Sequence, residues 1–346
     1  MRPRVRVVAV STVKNEEDVV EAFVRHTVAL VDRLVVVDNA STDGTLQILR
    51  ALEQEGLPLA IESDPEIGFY QWRRSTRLMR HAVDELGADW VMPLDADELA
   101  VFDRDALRVP PPAPDGRPQA LKLPWRTFTP DPTDSAAEPN PFLRIRHRLV
   151  REPFPWVKVV VPAAVARLEQ GIISQGSHAF ELEDRPLDME PVEGGYLAHF
   201  PFRSPGQQAS KITVTTLQTI AMTERDPNWG MHIRAAYETL RRDPAALAAS
   251  FYELGLRFGV MPDVEFEPET TADTVPYRGG RLRHTRPFDD GARAFTTLLA
   301  YAEELARRYA RALARLEQAG VPLLPPDDAD ASEETAAPPL QRTAGD

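Results

Sequence analysis

No cysteine occurs in the chain, which excludes disulfides and thiolate metal sites. Lysine is nearly as scarce: Lys14, Lys122, Lys158 and Lys211 are the only four, and arginine carries the rest of the positive charge. That bias, with abundant alanine and proline, points to a GC-rich bacterial genome. No apolar run approaches the length of a membrane span. The start, Met1-Arg2-Pro3-Arg4, leads into a short strand without the apolar region of a signal peptide. Cytoplasmic residence is the resulting expectation. An excess of basic charge is also missing. The net charge of −13 argues against nucleic acid as a general partner, because phosphate backbones demand a basic surface. Part of that charge lies in the tail residues Asp327, Asp328, Asp330, Glu333 and Glu334.

What is present is the composition of a soluble globular protein, 43 % apolar and 27 % charged. Its 346 residues suit one large domain, or one domain with a helical appendage. Val5 to Val10 reads as a first strand, followed by a polar turn at Ser11 to Asn15. Glu16 to Val31 carries Val19, Val20, Phe23, Val24 and Val28 on one helical face. Leu34 to Val37 is a second buried strand, ending in Asp38-Asn39-Ala40-Ser41-Thr42-Asp43-Gly44-Thr45, a turn rich in residues that cap helices and tolerate unusual backbone angles. A helix with Leu46, Ile48, Leu49 and Leu52 follows. Leu57 to Ile61 is a third strand, and Gln71 to Leu86 a third helix ending at Gly87. This alternation predicts an α/β fold with a mostly parallel sheet flanked by helices.

Trp90-Val91-Met92-Pro93-Leu94-Asp95-Ala96-Asp97-Glu98 is the most informative stretch. An apolar run that ends in three carboxylates reads as a buried strand opening into a polar crevice. In open α/β sheets ligands bind outside the carboxyl ends of strands. If the backbone stays extended, Asp95 and Asp97 project to the same side. Their mutual repulsion then calls for a cation between them, and a divalent ion carrying phosphate oxygens is the natural candidate.

Further along, Val109 to Gly116 is a Pro-rich loop and Pro130 to Pro141 an irregular one. Ala120 to Trp125, Val157 to Val161 and Gly195 to Phe200 read as strands. Gln207 to Met222 is predicted as a helix with Ile212, Leu217 and Ile220 buried. Phe295 to Ala319 reads as a long amphipathic helix carrying Leu298, Leu299, Tyr301, Leu305, Tyr309, Leu313 and Leu316. Its apolar stripe packs internally or offers a homodimer face. From Pro325 onward disorder is expected.

Four segments in order resemble family 2 glycosyltransferases of the GT-A fold, in a branch with an Asp-x-Asp-Glu motif: Val13-Lys14-Asn15-Glu16-Glu17, Val37 to Thr45, Leu94 to Glu98, and His199 to Gln207 continuing to Lys211. The resemblance spans about the first two thirds of the chain. It implies a GT-A domain over 1–225, a helical C-terminal extension over 226–324 and an acidic tail over 325–346. It also implies that Val13, Asn15, Glu16 and Asp38 hold the base and ribose of a nucleotide-sugar donor, with UDP the commonest nucleotide. Asp95, Ala96 and Asp97 would take the ribose-diphosphate. One basic residue of the third helix, among Arg73, Arg74 and Arg77, would approach the diphosphate. Asp95, Asp97 and His199 would hold Mn²⁺ or Mg²⁺. A base would deprotonate an acceptor hydroxyl, giving transfer of the sugar with inversion. The acidic pair that serves as base in many relatives has no clear counterpart; Asp184, Glu181 and His178 are the candidates, with Glu183 and Glu193 nearby.

Each of these residues also has a plainer role open to it. Asp95 and Asp97 could cap a turn. Ser41, Thr42 and Asp43 could serve capping alone, and Asp38 turn chemistry. Two of the three arginines could be a solvated helix face. His199 and His178 could be core histidines. Trp72, Trp125 and Trp156 could stack on a sugar or fill the core. Two other functions compete with transfer. One is a nucleotide-sugar binder of the same fold without catalysis. The other is a haloacid-dehalogenase-type phosphatase, in which the first Asp of the motif would be a covalent nucleophile.

Overall fold

The computed structural model describes residues 5–109, 112–222, 231–260, 264–285 and 292–319. The acidic tail over 325–346 lies outside them. The chain begins β1 (Val7–Val13), α1 (Val20–Val28), β2 (Arg33–Asp38), α2 (Thr45–Gln54), β3 (Leu59–Ser63), α3 (Gln71–Asp84) and β4 (Trp90–Pro93). Strands β4, β1, β2 and β3 lie side by side in that order, all parallel. Each parallel step needs a crossover, and α1 and α2 supply those from β1 to β2 and from β2 to β3.

β1 is apolar almost throughout because helices cover both of its faces. Val7, Ala9 and Val13 join Leu34 and Val36 in a core layer with Phe23 and Val24 of α1 and Leu49 and Leu52 of α2. Val8 and Val10 join Val35 and Val37 in the opposite layer with Leu78, Met79 and Ala82 of α3. Alternate side chains leave opposite faces of a strand, so a strand between two helical layers has no polar side.

The chain continues through β5 (Glu98–Val101), β6 (Ala120–Thr129), α4 (Pro141–Arg144), β7 (His147–Leu149), β8 (Val157–Pro162) and α5 (Ala163–Ala166). Then come β9 (Ile172–Ile173), β10 (Phe180–Leu182), β11 (Arg185–Pro186), β12 (Met189–Pro191) and β13 (Tyr196–His199). Beyond β4 the sheet turns antiparallel through β8, β6 and β7, so it is mixed, with its parallel half N-terminal. This is the α/β architecture that the GT-A resemblance implies. β13 runs parallel to β6 and antiparallel to β5, which sets His199 opposite both Thr127 and Glu98.

One expectation is corrected here. The backbone does not stay extended through Asp97. β4 ends at Pro93, Ala96 and Asp97 form a turn, and β5 begins at Glu98. The Glu98 N–H donates to the Asp95 carbonyl at 3.1 Å, closing that turn.

The remaining elements are α6 (Pro205–Ile220), α7 (Met231–Arg242), α8 (Pro244–Ala249), α9 (Phe251–Leu256), β14 (Thr270–Ala272) and α10 (Ala292–Gln318). Ser204 caps α6, its hydroxyl accepting from the Gln207 N–H at 3.1 Å, and Pro205 opens the first turn. The buried face of α6 is mixed: Gln207, Ser210 and Gln218 accompany Ile212 and Val214, whereas Ile220 is exposed, against expectation. In α10 Tyr301 is buried, but Leu299, Tyr309 and Leu316 are exposed, so the predicted packing stripe is only partly covered. The chain divides into two compact units, residues 1–298 and 299–346.

Candidate active site

Asn15, Asp38 and Asp95 lie just beyond or at the carboxyl ends of the adjacent strands β1, β2 and β4. Val13 pairs with Asp38, and Val10 with Pro93. The two loops above β1 and β2 are tied to each other. Lys14 Nζ donates to the carbonyls of Asn39 (2.6 Å) and Ala40 (3.0 Å). The Asn15 N–H donates to Ser41 Oγ at 3.0 Å, and the Thr42 N–H donates to Asn15 Oδ1 at 2.7 Å. Both loops hold a non-glycine residue in the left-handed region, Asn15 at φ 56° and Ala40 at φ 52°. Such strain costs of order 1–3 kcal/mol and clusters at ligand sites. Asp38 is buried; its Oδ2 accepts from the Ser41 N–H at 3.3 Å, while its Oδ1 is buried with no partner among the described residues. Asp43 has capping work, accepting from the N–H groups of Thr45 (2.9 Å) and Glu17 (3.2 Å). Burial raises the Asp43 carboxyl to about 6. From α6, Gln218 Nε2 donates to Asn39 Oδ1 at 2.9 Å.

Asp95 and Asp97 face different partners. Asp95 Oδ1 accepts from Gln71 Nε2 at 2.6 Å, and Oδ2 from Lys158 Nζ at 2.8 Å. Lys158 is wholly buried in β8 and also meets Glu98 Oε2 at 2.9 Å. Burial drives Glu98 up to about 8, against the pull of Lys158. The same lysine is pushed down by burial but is held above its ordinary value by Asp95 and Glu98.

Asp97 Oδ2 instead accepts from Lys211 Nζ of α6 at 2.6 Å, and the guanidinium of Arg203 lies 3.6 Å away. Arg203 is buried and clamped by Asp18, at 2.6 Å from Nε, and by Glu16. Burial pushes Asp97 up, yet Lys211 and Arg203 together hold it well below the usual carboxylate range. Burial lifts Glu16 to about 7 despite Arg203 and Lys211.

His199 Nε2 lies 4.0 Å from Asp97 Oδ1, and its Nδ1 is buried without a partner. Burial holds its imidazole down at about 3, so it is neutral. Its ring packs on Trp125, with centroids 4.1 Å apart. Trp125 continues to His178 (5.4 Å) and Trp156 (6.0 Å), and Trp156 to the exposed Phe154 (4.6 Å). An aromatic wall therefore leads from Asp97 to the surface. His178 Nδ1 bonds the Val157 carbonyl at 2.8 Å, and burial holds that ring down at about 4.

Other candidates sit elsewhere. Arg73 is exposed, 3.6 Å from Glu66 and over the Tyr70 ring at 4.4 Å. Arg77 is exposed and bonds Glu62 at 2.8 Å. Arg74 is buried and spends its guanidinium on Asp64 and on the Glu66 and Gly68 carbonyls. Glu183 and Asp184 form the two-residue turn of the β10–β11 hairpin, at φ 54° and 59°, the geometry that suits tight hairpins. Glu181 lies on β10 of that three-stranded sheet, and Glu193 is exposed.

The implied metal is the remaining test of the site. Asp95, Asp97 and His199 do not converge on it, because Asp95 is committed to Lys158 and Gln71. Among the described residues no three His, Asp or Glu side chains form a metal cage. Asp97 with His199 does fit. An ion shared with a diphosphate needs only one or two protein ligands, phosphate and water oxygens supplying the rest, and neutral imidazole suits Mn²⁺.

Lys158, Lys211, Arg203, Asp18 and Gln71 received no role from the sequence. A signal existed: Lys158 interrupts an otherwise apolar strand, and three of the four lysines stand at this site.

Residues 9–108 match the family model described as Glycosyl transferase family 2. No curated protein matches the chain. Several solved structures do. Mannosyltransferase PcManGT from Pyrobaculum calidifontis, in complex with GDP-Man and Mn²⁺, is 17 % identical, with 75 % of this chain and 78 % of that one covered and a TM-score of 0.34. Glucosyl-3-phosphoglycerate synthase from Mycobacterium tuberculosis, with Mn²⁺, UDP and glucosyl-3-phosphoglycerate, is 19 % identical, with 27 % and 34 % covered and a TM-score of 0.20. HddC from Yersinia pseudotuberculosis is 8 % identical, with 56 % and 92 % covered and a TM-score of 0.29. Likenesses at these TM-scores carry no argument about this chain.

Proposed function

We propose that this chain, whose residues 9–108 match the family model of glycosyl transferase family 2, moves a sugar from a nucleotide-diphosphate donor to an acceptor hydroxyl. UDP is the first choice of nucleotide and a hexose the first choice of sugar. The family match speaks against the phosphatase reading. The observation that carries the proposal is Asp38 Oδ1, a buried carboxylate oxygen without a partner, at the end of a strand beside two strained loops. A buried charged acceptor left unpaired is costly, and a base N–H or a ribose hydroxyl would satisfy it.

The chain's own groups divide the work. Asp38 and the Asn15 loop receive the nucleoside. Asp97 and His199 hold the divalent ion, which when bound neutralises charge developing on the leaving diphosphate. Asp95, fixed by Lys158 and Gln71, presents a carboxylate beside the diphosphate end. The aromatic wall from Trp125 to Phe154 gives the acceptor an apolar approach. In a single displacement the acceptor oxygen bonds to the anomeric carbon as the bond to diphosphate breaks, inverting that carbon, and the hydroxyl proton passes to a base.

Thermal-shift measurements with UDP and GDP, with and without Mn²⁺, test the reading. Stabilisation by one nucleotide only when Mn²⁺ is present, abolished in Asp97→Ala, is expected. Unchanged stabilisation in Asp97→Ala, or none with either nucleotide, would overturn it.

A further inference from the structure

We infer that Lys211 is the resident counterion of the metal position: in the free protein its ammonium neutralises Asp97, and it must leave for a divalent ion to bind. The Asp97 carboxylate touches two protein cations, and they differ in freedom. Arg203 has a fully buried side chain locked to Glu16 and Asp18, whereas the Lys211 side chain is 40 % exposed and its Nζ sits 2.6 Å from Asp97 Oδ2. A lysine is a compact charge on a flexible stem, so Lys211 can swing outward while Arg203 cannot.

Charge counting points the same way. With Glu16, Asp18 and Asp97 all ionised, three carboxylates face two cations, Arg203 and Lys211. The formal balance is one negative charge with the ammonium in place, and two once it has left. The second balance is the one a dication matches. The displaced ammonium, anchored on the second turn of α6, then faces whatever anion arrives with the ion, which under the proposed function is a diphosphate. Lys211 thus weakens metal binding to the free protein and strengthens it when the anion is present. Such coupling is reciprocal between the two ligands.

The inference rests on the proposed function for the identity of the anion alone, and the metal arm is measured without nucleotide. Mn²⁺ affinity is titrated for the full chain, Lys211→Met, Lys211→Gln and Lys211→Arg, with melting curves confirming the fold. Removing the ammonium is expected to tighten nucleotide-free Mn²⁺ binding about 5-fold or more in Met and Gln alike, with Arg resembling the parent. Adding UDP with Mn²⁺ should then show weaker UDP binding in Lys211→Met than in the parent. Unchanged or weaker nucleotide-free Mn²⁺ binding in both neutral variants overturns the inference, as does an absence of Mn²⁺ binding in all four proteins. Tightened Mn²⁺ binding with neither UDP nor GDP bound by any of the four proteins supports the counterion role and instead defeats the glycosyl-donor reading.

Discussion

Asp95 and Asp97 stand two residues apart on one turn and each binds a lysine, yet the two surroundings do opposite things. On the Asp95 side the lysine is wholly buried, is shared with a buried carboxylate, Glu98, and comes from a core strand. On the Asp97 side the lysine is 40 % exposed and reaches in from α6, while a buried arginine does the fixed pairing. The first arrangement is a structural ion triad, whose members cannot leave without stranding charge in the core. The second is exchangeable. The comparison shows why Asp-x-Asp spacing does not by itself make a shared metal site: the turn at Ala96-Asp97 sends the carboxylates to separate cations.

Removing each lysine in turn gives the largest contrast. Lys158→Met leaves the buried Glu98 and the part-exposed Asp95 without their shared cation and should cost about 3–5 kcal/mol in urea unfolding. Lys211→Met removes the exposed partner of a buried carboxylate that keeps Arg203 beside it, and should cost less, on the order of 1 kcal/mol. Equal costs would erase the distinction between the two sides.

A smaller effect is expected at Asp38, which under the proposed function receives the nucleoside. Asp38→Ala should weaken UDP binding about 10-fold, the order of one hydrogen bond to a charged group. An unchanged dissociation constant, measured by titration calorimetry in Mn²⁺, would remove Asp38 from the nucleotide site.

The smallest effect is in the pH profile of stability. Glu98 and Glu16 are raised by burial to about 8 and about 7, so the folded protein keeps protons that the unfolded chain releases. Their contribution falls as pH climbs from the ordinary carboxylate range through those values. His26 and His178 are held down at about 4 and His199 at about 3; being neutral when folded, they make stability rise with pH up to about 6.5, their ordinary value. The two carboxylates therefore govern above pH about 6.5, and the melting temperature should decline toward pH 8. Glu98→Gln should flatten that decline, and an identical slope in the variant would show that Glu98 titrates normally.

The N-terminal half was legible because its signals are local. β1 to β4 and α1 to α3 follow from apolar runs, helical periodicity and turn residues that need no knowledge of distant partners. Asp38, Asp97 and His199 were named as candidates because strand ends and the family motifs mark them. The pairing of Asp97 with Lys211 spans 114 residues, and the buried link from Arg203 to Asp18 spans 185; no periodicity encodes either. Arg73 and Arg77 fit the motif by spacing, but their side chains found Glu66 and Glu62 on the exposed surface. Ile220 and Tyr309 have the periodicity of a packed face, yet both are exposed, because an apolar stripe does not specify its cover.

By itself, the order of residues determined the alternating strands and helices and the burial of β1 on both faces, since these depend on side-chain polarity at short range. Tertiary structure alone decided which cation meets which carboxylate, because charges act through space across elements distant in the chain. Whether such a pair stays locked or can exchange depends on the solvent left around it.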